Sequence, residues 1–101
     1  MIIRIVKMQF RPSETAPFLN LFEDVKQHIR SFEGCRGLTL LRDLNAPETL
    51  FTYSHWESEA HLNAYRNSEL FEKTWKATKA GFAAKAEAWS VHEQSHTQDN
   101  I

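Results

Sequence analysis

The stretch from Leu50 to Phe71, LFTYSHWESEAHLNAYRNSELF, changes its periodicity half-way, and that change constrains the fold more than any other feature of the chain. From Leu50 to Trp56 the residues alternate as in a strand, with Phe51, Tyr53 and His55 on one side and Thr52, Ser54 and Trp56 on the other. Ser58 then has the side chain of a helix N-cap, predicting a short helix to about Arg66. Ser68 repeats the signal for a second helix running to roughly Phe82. Leu62, Tyr65, Phe71, Trp75 and Phe82 make the inward stripe of these helices. A strand that delivers directly into helices places its large aromatics where sheet and helices meet, so a pocket is expected there.

The remaining segments complete a pattern. Ile2 to Phe10 is a strand rich in β-branched residues, with Val6, Met8 and Phe10 on one face and Ile3, Ile5, Lys7 and Gln9 on the other. Thr15 is the expected N-cap of a helix whose first turn contains Pro17. Phe18, Leu21, Phe22, Val25, Ile29 and Phe32 repeat at three- and four-residue spacing along it. Gly34 ends that helix, and Gly34-Cys35-Arg36-Gly37 reads as a turn. Leu38 to Asp43 is a strand, Leu44 to Thr49 a loop, and Ala86 to Glu93 a last strand with Trp89 and Val91 on one face.

The order β-α-β-β-α-β predicts a ferredoxin-like α+β fold with a four-stranded antiparallel sheet. One domain is expected over residues 1–93, with a polar tail at 94–101. Helices cover one sheet face. The other carries Ile3, Ile5, Leu41, Phe51, Tyr53 and Trp89, and no segment remains to cover it. Such a face predicts a homodimer joined through Ile3, Ile5, Phe51, Tyr53 and His55.

Composition narrows the partners. The chain of 101 residues is 42% hydrophobic and 25% charged, with a net charge of -1. That balance offers nothing to nucleic acid or to an anionic membrane. The single cysteine, Cys35, excludes an internal disulfide and fits a reducing compartment. MIIRIVKMQF lacks the features of a signal peptide, and no apolar run approaches a membrane span, so a cytoplasmic protein is expected.

At this level of detail the chain resembles the antibiotic biosynthesis monooxygenase (ABM) domain family. The resemblance rests on IVKMQF, the helix ending in FEGCRG, the LLRD strand and FTYSHWESEAHLNAYRNSELF, and it extends from Ile2 to about Glu93. It implies two ferredoxin-like units packed sheet on sheet as a dimeric α+β barrel. The family includes cofactor-free monooxygenases of polycyclic phenols and quinols, haem-degrading enzymes, small-molecule isomerases and many proteins with no known reaction. In the oxygenases a tryptophan closing the third strand lines the pocket, and Trp56 matches it. The asparagine just before it is replaced here by Thr52 or Ser54. The asparagine, tryptophan and histidine of the haem-degrading members correspond to Val6, Tyr65 and Trp75, so that route is not expected. Many members carry a histidine where this chain has Tyr65.

Other motifs are weaker. His92-Glu93-Gln94-Ser95-His96 matches HExxH as a string, but a zinc site needs it on a helix, and here it follows a strand pattern. His55 reads as an interface histidine and His61 as a surface one. Cys35 lacks a base to lower its pKa and reads as structural. The resulting expectation is a cofactor-independent monooxygenase acting with dioxygen on a small aromatic phenol or quinol, with no metal and no cofactor. Trp56 and Tyr65 are the candidate catalytic residues, and Thr52, Ser54, Phe71, Trp75 and Phe82 the candidate substrate contacts. Alternatives are a non-catalytic small-molecule-binding dimer and a small-metabolite isomerase, the latter drawing on Arg4, Arg42 or Lys76 for cationic groups.

Overall fold

A computed structural model describes residues 1–97. Its elements are β1 (Ile2–Gln9), α1 (Pro12–Arg30), β2 (Cys35–Arg42), β3 (Thr49–Trp56), α2 (Glu59–Arg66), α3 (Glu69–Lys79) and β4 (Glu87–Val91). The strands form one antiparallel sheet in the order β2-β3-β1-β4. This is the expected ferredoxin-like α+β arrangement, with its second helical segment divided into α2 and α3.

Register assigns the two faces. Ile5 lies opposite Tyr53 on β3 and Trp89 on β4, while Val6 lies opposite Thr52 and Ala88. The pleat therefore gathers Ile3, Ile5, Phe51, Tyr53, His55, Trp89 and Val91 on one face. Arg4, Val6, Met8, Thr52, Ser54, Trp56 and Ala88 share the other, beneath the helices. Met8, Phe10, Phe18, Phe22 and Leu50 form one buried cluster there, and Cys35, Trp56 and Leu62 a second. No described element covers the first face, where Leu41, Trp89 and Val91 are 47%, 44% and 41% exposed.

The helix caps on the second half of the chain are as expected. Ser58 Oγ accepts from the His61 N–H at 3.2 Å, and Ser68 Oγ from the Phe71 N–H at 3.1 Å. The start of α1 differs. It begins at Pro12 with Arg11 as an extended N-cap, and Thr15 lies one turn inside with its hydroxyl directed at the Arg11 carbonyl. Proline at the first helical position has its φ preset and needs no N–H partner, which outweighs a threonine cap further on. Arg11 also holds the helix start in place, its guanidinium donating to the carbonyls of Ala80 and Phe82, both at 3.1 Å.

β2 begins at Cys35, three residues before the expected strand. Cys35 pairs with Trp56, and a register shift between Cys35 and Gly37 absorbs the extra residue. What reads as a two-glycine turn is thus a bulged strand start. Only Gly34 lies outside it, at φ +88°, where it allows the chain to pass directly beneath His61. His61 is consequently half-buried rather than a surface residue, with Nδ1 2.7 Å from Ser58 Oγ. At the other end, α3 stops at Lys79, and Phe82 instead forms an isolated bridge with Phe10. β4 is shorter than expected, His92 to Thr97 have no regular structure, and the HExxH string is therefore not helical. Of the expected tail, residues 98–101 lie outside the described residues.

Candidate functional site

A cavity of about 320 Å³ lies between the sheet and the helices. Its floor is made by Arg4, Val6 and Met8 of β1, Thr52, Ser54 and Trp56 of β3, and Ala88 of β4. Phe18, Phe22, Val25 and Ile29 of α1 form one wall. Leu62, Tyr65 and Arg66 of α2, with Phe71, Thr74 and Trp75 of α3, form the other. The space exists because Thr52, Ser54 and Ala88 are small while the residues around them are large. A volume of this order is near the lower end of the range for small-molecule sites, about 300–1,000 Å³.

The aromatic side is a continuous series of ring contacts. Trp56 stacks on Tyr65 with centroids 4.9 Å apart, Tyr65 meets Phe71 edge-on at 5.3 Å, and Phe71 stacks on Trp75 at 5.9 Å. Phe32 backs the first pair, 5.4 Å from Tyr65 and 6.4 Å from Trp56. Such offset and edge contacts each add stabilisation beyond burial, so this wall is held firmly. Phe82 stands apart from the cavity lining. Its ring contacts Trp75 and Phe10, because the chain has already left α3 and turned back to the end of β1.

Trp56 and Tyr65 differ in what they present. Trp56 is 1% exposed, and its Nε1–H donates to Ser54 Oγ at 3.0 Å. The indole is a wall of the cavity whose polar hydrogen is already engaged, and Ser54 serves to hold it. Alternation makes this pairing natural, since Ser54 and Trp56 are two residues apart on the same strand face. The Tyr65 hydroxyl makes no hydrogen bond to the other described residues, and the residue lines the cavity. Burial, reinforced by the neighbouring Cys35, pushes its pKa well above the ordinary phenol range. Tyr65 is therefore a neutral hydrogen-bond donor and not a base. Burial also raises the Cys35 thiol, against smaller opposing effects of the Gly37 backbone and Arg30, which disfavours the thiolate.

Among the described residues, the charged groups of the lining are Arg4 and Arg66, and no carboxylate or histidine lines it. Arg4 is part-buried, and one of its guanidinium nitrogens donates to Ser90 Oγ at 2.9 Å. Desolvation, and then the like charge of Arg66, lower its pKa from the usual arginine value. The other expected cations lie elsewhere: Arg42 Nε donates to the Pro47 carbonyl at 2.6 Å, and Lys76 is exposed on α3 away from the lining. Arg66 is absent from the sequence-based expectation. The signal was its spacing, four residues after the inward-facing Leu62 and so on the same side of α2. Among the described residues no cluster of three or more His, Cys, Asp or Glu side chains is arranged to hold a metal ion.

The family model described as antibiotic biosynthesis monooxygenase matches residues 1–77. The chain belongs to the antibiotic biosynthesis monooxygenase family. Among solved structures, a conserved protein from Methanosarcina mazei Go1 is 23% identical with a TM-score of 0.86, covering 93% of this chain and 94% of that one. A structure described as an antibiotic biosynthesis monooxygenase is 17% identical at a TM-score of 0.88, covering 94% and 100%. Rv0793 from Mycobacterium tuberculosis is 14% identical at a TM-score of 0.86, covering 96% and 98%. At such identities the likeness is one of fold. No curated protein matches the chain by sequence.

Val6, Tyr65 and Trp75, which the resemblance set against the haem-degrading residues, line this cavity, as does Trp56. The cavity combines an aromatic wall with two arginines. It can seat a flat apolar molecule, donate one hydrogen bond from Tyr65 and present positive charge. No described helix is long and apolar enough to cross a membrane.

Proposed function

We propose that this protein is a cofactor-independent monooxygenase of a small phenol or quinol, and that it works as a homodimer paired through its open sheet faces. The observation that carries this reading is the 320 Å³ cavity, walled by Trp56, Tyr65, Phe71 and Trp75. An electron-rich phenol or hydroquinone, once deprotonated, is itself able to reduce dioxygen. The protein then has to exclude water, orient the ring and stabilise the anion. The aromatic wall and α1 exclude water. Phe71 and Trp75, only half-buried, give the ring a surface to stack on, and Trp56, immobilised by Ser54, backs Tyr65. Tyr65 donates to the substrate oxygen. With no carboxylate or histidine among the described lining residues to accept it, the phenolic proton leaves to solvent, and stabilisation of the anion takes the place of a dedicated base.

The dimer half of the proposal rests on the exposed apolar face of Ile3, Ile5, Phe51, Tyr53 and Trp89, which the single chain leaves in water. The test of function is oxygen uptake with a panel of hydroquinones and anthrones. Uptake above the rate of autoxidation, reduced in Tyr65→Phe, is expected with at least one of them. Tight binding of these compounds with no uptake by any would overturn the oxygenase and leave a ligand-binding dimer.

A further inference from the structure

The cavity has an uncompensated charge. Arg4 from β1 and Arg66 from α2 both line it, and Tyr65 is the other titratable group in the lining. Neither arginine forms an ion pair within the described residues, whose salt bridges are Arg11–Glu14, Lys26–Glu23, Arg36–Glu57, Lys73–Glu69 and His96–Glu93. Like charges brought to an otherwise apolar cavity repel each other, and a part-buried guanidinium loses hydration. Both effects act on Arg4. A single neutral hydroxyl, that of Ser90, is the one hydrogen-bond partner of its side chain. The repulsion and the lost hydration oppose folding, and an anion entering the cavity relieves both.

We propose that the substrate is a hydroxyaryl carboxylic acid whose carboxylate is held by Arg4 and Arg66, while its ring stacks within the aromatic wall. The inference rests on the aromatic-pocket reading above and specifies the class of molecule. A phenol alone does not satisfy the site, because an ordinary phenol titrates near pH 10 and is neutral at physiological pH, whereas both guanidinium groups are always charged. A carboxylate is ionised throughout that range. Its two oxygens match the planar fork of a guanidinium, so Arg4 can bind it directly while Arg66, exposed at the end of α2, contributes from the mouth. The small cavity favours a skeleton of one or two rings.

Calorimetric titration with 6-hydroxy-2-naphthoate and 2-naphthol, which differ by the carboxylate alone, tests this. The naphthoate is expected to bind about tenfold more tightly or better, as for a charge-assisted hydrogen-bonded contact. High salt should narrow the difference, since Arg66 is exposed. Arg66→Gln should reduce the preference to about threefold, and Arg4→Gln combined with Arg66→Gln should abolish it. Arg4→Lys should keep part of it, through charge without the fork. Should Arg4→Gln fail to fold for want of its bond to Ser90, the exposed Arg66→Gln still decides the matter. Equal binding of the two compounds by the unaltered protein, or a preference that survives Arg66→Gln undiminished, overturns the carboxylate site and leaves the aromatic pocket standing. Binding of neither compound at millimolar concentration overturns both.

Discussion

Trp56→Phe and Tyr65→Phe should separate stability from binding, although the two rings stack on each other 4.9 Å apart. Trp56 is 1% exposed and donates to Ser54 Oγ at 3.0 Å. Phenylalanine in its place removes that hydrogen bond, at about 1 kcal/mol. It also leaves unfilled volume on the order of 40 Å³, worth about 1 kcal/mol at ~24 cal/mol per Å³. The loss of about 2 kcal/mol is a large share of the roughly 5–15 kcal/mol that holds a domain of this size. It should lower the thermal midpoint by roughly 8–16 °C. Affinity for 2-naphthol should change little, because the lost N–H faces Ser54. Tyr65→Phe reverses the pattern. Its hydroxyl has no partner among the described residues, so stability should stay within about 0.5 kcal/mol of the parent. Binding should weaken roughly threefold to tenfold for the loss of one hydrogen bond. Thermal unfolding by circular dichroism and calorimetric titration give the two readouts. If Trp56→Phe abolished binding while leaving the thermal midpoint unchanged, the roles assigned to the indole N–H and the phenol would be wrong.

Three further outcomes are expected. Sedimentation at micromolar concentration should give a dimer, and Tyr53→Asp should shift it to monomer by placing an unpaired charge in a dry interface; a monomeric parent protein would remove the proposed interface. Gly34→Ala should destabilise by about 2 kcal/mol or more, since a side chain at φ +88° is strained and its Cβ would collide with the ring of His61; an unchanged urea midpoint would show that this passage is not tight. Stability should fall as pH rises above about 9, because the native state holds the protons of Cys35 and Tyr65 to higher pH than the unfolded chain does. The contribution of each group is complete below its unfolded pKa and disappears through the raised folded one, so Tyr65→Phe should flatten the decline above about pH 10 in urea titrations. A decline of the same slope in that variant would count against the buried phenol.

The sequence by itself determined the order of elements, the strand faces and the caps at Ser58 and Ser68. These depend on local periodicity and on side chains bonding to nearby backbone, so neighbours in the chain suffice to specify them. It also brought Trp56, Tyr65 and Trp75 to one place, because the alternation of β3 and the stripes of α2 and α3 aim them at the same space. Where two local signals competed, tertiary structure decided. Thr15 reads as the helix start, but the helix begins at Pro12, and the ties from Arg11 to Ala80 and Phe82 anchor that earlier start. Gly34 and Gly37 suggest a turn, but pairing of Cys35 with Trp56 draws all but Gly34 into a bulged strand. Tertiary structure also decided which polar groups reach the cavity. Ser54 takes the Trp56 hydrogen, Tyr65 keeps its own, and Arg4 and Arg66, sixty-two residues apart in the chain, meet across a space lined by no carboxylate. Charge compensation depends on what lies within a few ångströms in space, and periodicity along one chain carries no record of it.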